Sequence, residues 1–191
     1  DLDESALQEL SKSHPQDKFI GRRVDVSSES HIAELAEEVT RDFGKIDALV
    51  NCAGIQTYGT VTETSEELWD KTFNVNVKSM FLTAKHFVPL MKKNGKGAIV
   101  NISSVQSLVS QKGVIAYSAS KGAINALTRA LAIDLAEFQI RANAVLPGSV
   151  DTPMLRNAAE LFKGDKSVDQ VVAEDRKSTR LNSSHEWISR M

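Results

Sequence analysis

The sequence has a single cysteine, Cys52, among its 191 residues, and it lacks any long hydrophobic run. One cysteine excludes an internal disulfide and favours a reducing compartment, so we expect a cytoplasmic protein. No histidine lies close to Cys52 in the sequence, which favours a small buried side chain over a nucleophile. No apolar stretch approaches the roughly 18 residues of a membrane-spanning helix, so we expect no membrane partner.

An excess of charge of one sign is also lacking, because 23 basic side chains are balanced by 25 acidic ones. A nearly neutral chain offers none of the basic surface that nucleic acids require, and we expect no nucleic-acid partner. We expect no metal site. At 191 residues and 41% hydrophobic content, the chain has the size of one domain that can bury a core.

Short apolar runs alternate with helical patterns along the chain. This alternation is typical of a parallel sheet covered by helices, so the sequence predicts an α/β fold of the Rossmann-like, doubly wound class. The helical period predicts that Trp69 and Phe81 point inward. The predicted strands are 19–24, 46–50, 98–102 and 140–146, and the predicted helices are 3–10, 32–43, 65–91 and 117–138.

Tyr117 and Lys121 lie four residues apart on a predicted helix and therefore share one face. A free tyrosine has a pKa of about 10, and a nearby positive charge can lower that pKa by roughly 3 units. Such a pair alone arises by chance in about one similar chain in seven. Ser104 makes a chance match less probable, because it lies thirteen residues before Tyr117 and just past a predicted buried strand. Open α/β sheets place their chemistry at such strand ends.

Further segments accompany these residues in a fixed order. They are Asp25-Val26, Asn51-Cys52-Ala53-Gly54, Asn76-Val77-Lys78-Ser79 and Pro147-Gly148-Ser149-Val150-Asp151-Thr152. With Ser104 and the tyrosine motif, they resemble the short-chain dehydrogenase/reductase family over residues 19–154. Cys52 departs from the pattern, because the family usually has asparagine there.

The resemblance implies an NAD(P)-dependent oxidoreductase that interconverts a secondary alcohol and a carbonyl by hydride transfer. Tyr117 would be the acid/base, and Lys121 would lower its pKa and hold the nicotinamide ribose. Ser104, chosen over the preceding serine by its spacing, would donate a hydrogen bond to the substrate oxygen. Asn76, with Asn74 as a competitor, would complete the tetrad through a backbone carbonyl that holds a water.

The same resemblance implies which residues bind the dinucleotide. Asp25 would accept from the adenine amino group with Val26 packed nearby, although an aspartate here is otherwise often a turn or helix cap. Asn51, Ala53 and Gly54 resemble a turn that passes close to the adenosine ribose. The loop that would fix the nicotinamide contributes Pro147, Gly148, Val150 and Thr152, with Tyr117 and Lys121 also contacting the cofactor.

Cofactor preference and substrate are less constrained. Asp1 could accept the ribose hydroxyls of NAD, a slight preference over NADP, or it could simply favour a helix amino terminus. Gln106, Gln111 and Tyr58 would make the pocket polar and slightly favour a sugar or polyol. The alternatives are a 3-oxoacyl-thioester reductase and a catalytically silent dinucleotide-binding scaffold. Residues 154–162 resemble the start of a substrate lid or form a packed amphipathic helix, and the resemblance implies a homotetramer.

The family's glycine-rich phosphate loop has no counterpart in this sequence. The resemblance therefore implies a partial Rossmann-type domain over residues 1–174, with the family's third to sixth strands. We expect the 191 residues alone to fold poorly, which a cooperative thermal transition would refute. Residues 175–191 lack an apolar period and resemble a translated sequencing adapter, so we expect them to be disordered. The nucleotide record tests that origin.

Overall fold

A computed structural model describes residues 1–14 and 19–183, and it describes side chains through residue 177. Its strands form one parallel sheet in the order β1-β2-β3. Asn51 pairs with Asn101, and Asn101 pairs with Ala144, so the three strands end at a common carboxyl edge. The predicted α/β class is confirmed. The strands are β1 (Ala48–Asn51), β2 (Gly97–Ile102) and β3 (Ile140–Val145).

Several helices begin at a capping side chain or end at a glycine. Ser28 and Thr152 cap helix starts by accepting from the backbone N–H three residues later. Gly44 ends a helix in the left-handed conformation that glycine tolerates, with φ of 71°. The helices are α1 (Glu4–Ser13), α2 (Glu29–Phe43), α3 (Glu66–Phe73), α4 (Ser79–Asn94), α5 (Ile115–Asp134), α6 (Pro153–Phe162) and α7 (Val168–Ser183).

The core consists of two apolar clusters. The first joins α2 to α4 and the start of β1, and its centre includes the fully buried Ile32 and Leu82. The second joins β2 and β3 to the ends of α4 and α5 and is centred on Ile99 and Ile140. Burial of these side chains holds the sheet against its helices. Across residues 1–14 and 19–183, no helix is long and apolar enough to cross a bilayer.

The predicted strand at 19–24 is wrong. This segment has no strand structure, and it contacts the start of the chain through two hydrogen bonds, from the Val24 N–H to the Asp1 carbonyl at 3.0 Å and from the Asp1 amino group to the Arg22 carbonyl at 3.3 Å. A strand requires a neighbour to pair with, and the described sheet has three strands with β1 at one edge. Val24 still packs with Ile32 in the first cluster. Its apolar side chain is therefore buried, although its backbone does not pair with a strand.

The predicted helix at 65–91 is divided by a π-helical turn over Asn74–Lys78. A π turn contains an extra residue and shifts the phase of the side chains that follow. The inward prediction for Phe81, which follows the turn, is accordingly wrong, since Phe81 is 51% exposed. The inward prediction for Trp69 is also wrong, although Trp69 precedes the turn, since its side chain is exposed and stacks on Phe73. Asn76, inside the π turn, is fully buried instead.

The carboxyl-terminal part of the described chain is helical where disorder was expected. Helix α7 continues through Ser183, so the expectation is wrong for residues 175–183, whereas 184–191 lie outside the described residues. Val172 is buried, and Asp175 accepts a hydrogen bond from Ser149. These contacts fix α7 against the loop after β3. The adapter origin of this segment and the boundary at residue 174 remain predictions.

Candidate active site

Ser104, Tyr117 and Lys121 meet beyond the carboxyl end of β2. The strand ends at Ile102, so Ser104 starts the short 3-10 turn that follows, and its hydroxyl oxygen accepts from the Gln106 N–H at 3.1 Å. That hydroxyl also lies within hydrogen-bonding reach of the Tyr117 phenol. Tyr117 and Lys121 occupy the first two turns of α5, and both are buried. The structure therefore brings together the three residues that the sequence singled out.

The electrostatics of this pair differ from the expectation. Burial raises the pKa of Tyr117 above its ordinary value, and the Ser104 hydroxyl opposes this shift only in part. Burial also lowers the pKa of Lys121 to about 8, opposed in part by the nearby Cys52 side chain. The Lys121 ammonium donates to the Ile102 carbonyl at 2.9 Å and lies 5.5 Å from the Tyr117 ring centroid. The pKa of Tyr117 is thus raised where a lowering was expected, because burial outweighs the Ser104 hydrogen bond, and the effect of Lys121 on Tyr117 remains a prediction.

Ser103 holds α5 to the sheet. Its hydroxyl donates to the main-chain carbonyl of Lys121 at 3.0 Å, and its N–H donates to the Val145 carbonyl at 2.8 Å. One buried residue therefore joins β2, β3 and α5. The sequence suggested only a strand-end serine at this position, because the partner carbonyl is 18 residues away.

Asn76 holds the loop after β1 against α5. Its Oδ1 accepts from the Ile55 N–H at 2.8 Å, and its Nδ2 donates to the Ile55 carbonyl at 2.9 Å and to the Ser120 hydroxyl at 3.0 Å. Ser120 in turn donates to the Tyr117 carbonyl at 2.7 Å. Asn74 is exposed, so the geometry favours Asn76 as the site residue. The role expected for its backbone carbonyl remains a prediction.

Gly54 leaves space beside Lys121. A Cβ at this position would lie 3.3 Å from Asn76 Oδ1 and 3.7 Å from Lys121 Nζ. A side chain would therefore grow into the region between the loop after β1 and the ammonium group. This cradle fits the approach of a bulky ligand to Lys121, as the cofactor assignment of Gly54 requires.

The other residues assigned to the adenosine end are not all free to contact a ligand. Asp25 accepts from both the N–H and the hydroxyl of Ser27, which lowers the pKa of its carboxyl and keeps it ionised. Val26 packs against the first apolar cluster. The amide of Asn51 lies in the sheet interior and donates to Asn101 at 2.8 Å, so its side chain supports the sheet.

The loop after β3 approaches the site through its backbone. The Pro147 carbonyl accepts from the Val105 N–H at 3.0 Å, which places the loop beside the turn that carries Ser104. Gly148 and Val150 are exposed. The Thr152 hydroxyl caps α6, accepting from the Leu155 N–H at 3.4 Å, and donates to the Val150 carbonyl at 3.3 Å.

Cys52 is exposed, which corrects the expectation of a buried side chain. It follows the last residue of β1, Asn51, where the strand leaves the cover of its helices. Ala53 beside it is exposed as well. Cys52 lies near enough to Lys121 to contribute to the pKa of that ammonium, which it raises.

A parallel α/β sheet with serine, tyrosine and lysine at its carboxyl edge is typical of Rossmann-like proteins. Comparison with known proteins identifies the family within this class. Residues 1–161 match the short chain dehydrogenase family. The chain belongs to that family. The family match covers every site residue discussed above, from Asp25 to Thr152.

Individual relatives agree with this assignment. The chain is 42% identical over 154 residues to a cyclopentanol dehydrogenase of Comamonas sp., covering 81% of this chain and 61% of that protein. It is 41% identical over 160 residues to a 2-(R)-hydroxypropyl-CoM dehydrogenase of Xanthobacter autotrophicus, covering 81% and 64%. A solved NAD+-bound xylitol dehydrogenase matches with a TM-score of 0.79 and 33% identity, covering 84% of this chain and 64% of that one. The chain thus spans less than two thirds of each.

Proposed function

We propose that the complete protein is an NAD(P)-dependent oxidoreductase that interconverts a secondary alcohol and a carbonyl compound. The observation that carries this proposal is the Ser104 hydroxyl within reach of the Tyr117 phenol, with Lys121 one turn further along α5. This arrangement provides a proton donor and a second hydroxyl aimed at the same region. The alcohol dehydrogenase names of the relatives support the same reaction class.

In the direction of reduction, the Ser104 hydroxyl donates a hydrogen bond to the substrate carbonyl oxygen, where negative charge develops. Tyr117 gives its phenolic proton to that oxygen as the carbon is reduced. In oxidation, Tyr117 takes the proton from the hydroxyl. The raised pKa keeps the phenol protonated and ready to donate, and the Ser104 hydrogen bond favours the phenolate that oxidation needs.

A nicotinamide cofactor, when bound, would supply or accept the hydride. Lys121 and the cradle at Gly54 would hold its ribose, and the loop from Pro147 to Thr152 would hold its carboxamide. Asp25, with Val26, would hold its adenine, while Asn51 and Ala53 would contribute backbone. The NAD+-bound state of the xylitol dehydrogenase supports NAD as the preferred dinucleotide.

The test is an absorbance assay on the complete protein with NAD+ and NADP+ and a panel of secondary alcohols, polyols and hydroxyacyl thioesters. We expect turnover with at least one alcohol and a loss of roughly 10²–10⁴-fold in kcat/KM for Tyr117→Phe. Tyr117→Phe keeps the ring, so folding is preserved. Dinucleotide binding without turnover of any alcohol would favour the silent scaffold, and unchanged activity of Tyr117→Phe would refute the proton-transfer role.

A homotetramer and a cytoplasmic location complete the proposal. Three large apolar side chains are exposed on the long helices: Trp69 on α3, Phe81 on α4 and Ile133 on α5. Burying them would remove apolar surface from water. Light scattering of the complete protein should give four times the subunit mass, and a monomer would contradict it. The free thiol of Cys52 accords with a reducing compartment.

A further inference from the structure

The loop after β1 is fixed at both ends beside the site. At its start, Ile55 is held by both polar atoms of the Asn76 amide. At its end, the Gly59 N–H donates to the Gly113 carbonyl at 2.8 Å, and Gly59 forms a parallel bridge with Val114, just before α5. Between them, the Thr57 hydroxyl is 2.8 Å from the hydroxyl of Thr72. The segment that carries residue 58 is therefore held rigidly against the catalytic helix.

Tyr58 is presented by this loop toward two neighbours. Its ring packs edge-to-face on Phe162, the last residue of α6, with centroids 5.1 Å apart and an interplanar angle of 66°. The Gly59–Val114 bridge sets the same loop beside the start of α5, three residues before Tyr117, and the pKa of Tyr58 is raised by burial and by the charge of Tyr117. Tyr58 thus bridges the proton donor and the end of the helix that follows the loop after β3.

The aromatic pair presents an apolar surface. Phe162 is 61% exposed despite its contact with Tyr58, so one ring edge is covered while most of its surface remains open. An open aromatic surface next to a proton-transfer group favours a ligand whose body is apolar. A polyol would lose hydrogen bonds to water along this surface without replacing them.

Resting on the proposed function, we infer that Tyr58 is a specificity-determining residue: with Phe162 it forms an aromatic wall that selects alcohols with an alicyclic or alkyl body over polyols. This assigns to the Tyr58 ring the opposite preference from the polar one expected from the sequence. The Tyr58–Phe162 wall takes no part in proton transfer. It acts by holding the carbon skeleton beside Tyr117.

The test compares kcat/KM for cyclohexanol and sorbitol in the complete protein. The wild type should prefer cyclohexanol. Tyr58→Ala and Phe162→Ala should each lower the cyclohexanol-to-sorbitol ratio by roughly tenfold, mainly through a higher KM for cyclohexanol. Tyr58→Phe retains the ring and should keep most of that ratio. Phe43→Ala, at an exposed phenylalanine that ends α2, is the matched control and should leave the ratio unchanged.

The outcomes separate the inference from the reaction on which it rests. A wild type that prefers sorbitol, or a ratio that neither alanine variant changes, overturns the Tyr58–Phe162 wall while leaving the oxidoreductase proposal standing. If Tyr58→Ala fails to fold, Phe162→Ala still tests the inference, because Phe162 is exposed and its replacement should not prevent folding. A wild type that oxidises no alcohol with either dinucleotide overturns the proposed function and the inference together.

Discussion

The residues around the carboxyl end of β2 and the first 46 residues are held in different ways. At the site, buried polar atoms of Ser103, Asn76 and Lys121 all have hydrogen-bond partners on other elements. In the amino-terminal region, α1 has no buried residue, and α2 is attached by apolar contacts such as that of Ile32 with the first cluster. Directional bonds fix the positions of reacting groups, whereas apolar contacts fix only proximity. The following changes should reveal this difference.

Among the changes that compare these two regions, Ser104→Ala should have the largest effect. Removing a hydroxyl aimed at a developing negative charge typically costs about 10²–10³ in kcat, and we expect a loss of that size in kcat/KM of the complete protein. Ser110→Ala is the matched control, because Ser110 is an exposed serine in the segment before α5. Equal activity of the two variants would remove Ser104 from the reaction.

Asn76→Leu should lower the free energy of unfolding by about 3 kcal/mol, because it leaves the Ile55 backbone groups and the Ser120 hydroxyl without their partner. Denaturant unfolding of the complete protein measures this loss. Asn143→Leu is the comparison variant, since Asn143 is exposed on β3. A similar stability change in both would show that the Asn76 bonds are not what fixes the loop.

Lys121→Met should reveal the cost of burying the ammonium. The folded-state pKa of about 8 lies below that of a free lysine, so the folded state binds this proton less tightly than the unfolded state does. The free energy of unfolding should therefore rise with pH between about 8 and 10 in the wild type. Below pH 8 the burial penalty, about 3 kcal/mol for this shift, is fully present. The variant removes that penalty but leaves the Ile102 carbonyl without its donor, so it should be more stable by roughly 1–2 kcal/mol while losing activity. A flat wild-type profile in denaturant unfolding from pH 7 to 10 would contradict this.

The smallest effect should come from Glu29→Gln in the amino-terminal region. Glu29 accepts from Lys85 at 2.5 Å and so links α2 to α4, but both side chains are about half exposed. Exposed ion pairs add little to stability, so Tm should match that of the exposed control Glu34→Gln. A clear drop in Tm for Glu29→Gln alone would mean that this region depends on directional contacts as well.

Features that depend on residues close together in the sequence could be predicted, and features that depend on distant partners could not. The Tyr117–Lys121 spacing and the strand before Ser104 are local patterns, and the structure contains both. The error at 19–24 arose because strand pairing depends on a neighbour elsewhere in the chain. Ser120 was not predicted as a site residue, since its partner Asn76 is 44 residues away. Its position between the tyrosine and the lysine, three residues after Tyr117, is the signal that could have indicated it.

The same reasoning explains the sheet asparagines. A buried chain of amides and hydroxyls runs from Thr83 through Asn51 and Asn101 to Thr128, with successive distances of 2.8, 2.8 and 2.9 Å. Each residue alone is typical of a turn or an exposed position. Only the parallel register, which places Asn51 beside Asn101, makes them partners. This row of hydrogen bonds could be predicted only once the register of the strands was known.

The π turn at Asn74–Lys78 means that the number of residues in this part of the chain cannot change without rotating the side chains that follow. Removing one residue from the turn would restore the ordinary helical repeat and rotate the Asn76 side chain by about 100° relative to α4. The amide would then point away from Ile55 and Ser120, even though no side chain at the site had changed. Insertions and deletions between Ser65 and Ser79 should therefore be far less tolerated than substitutions on the exposed face of the same helix.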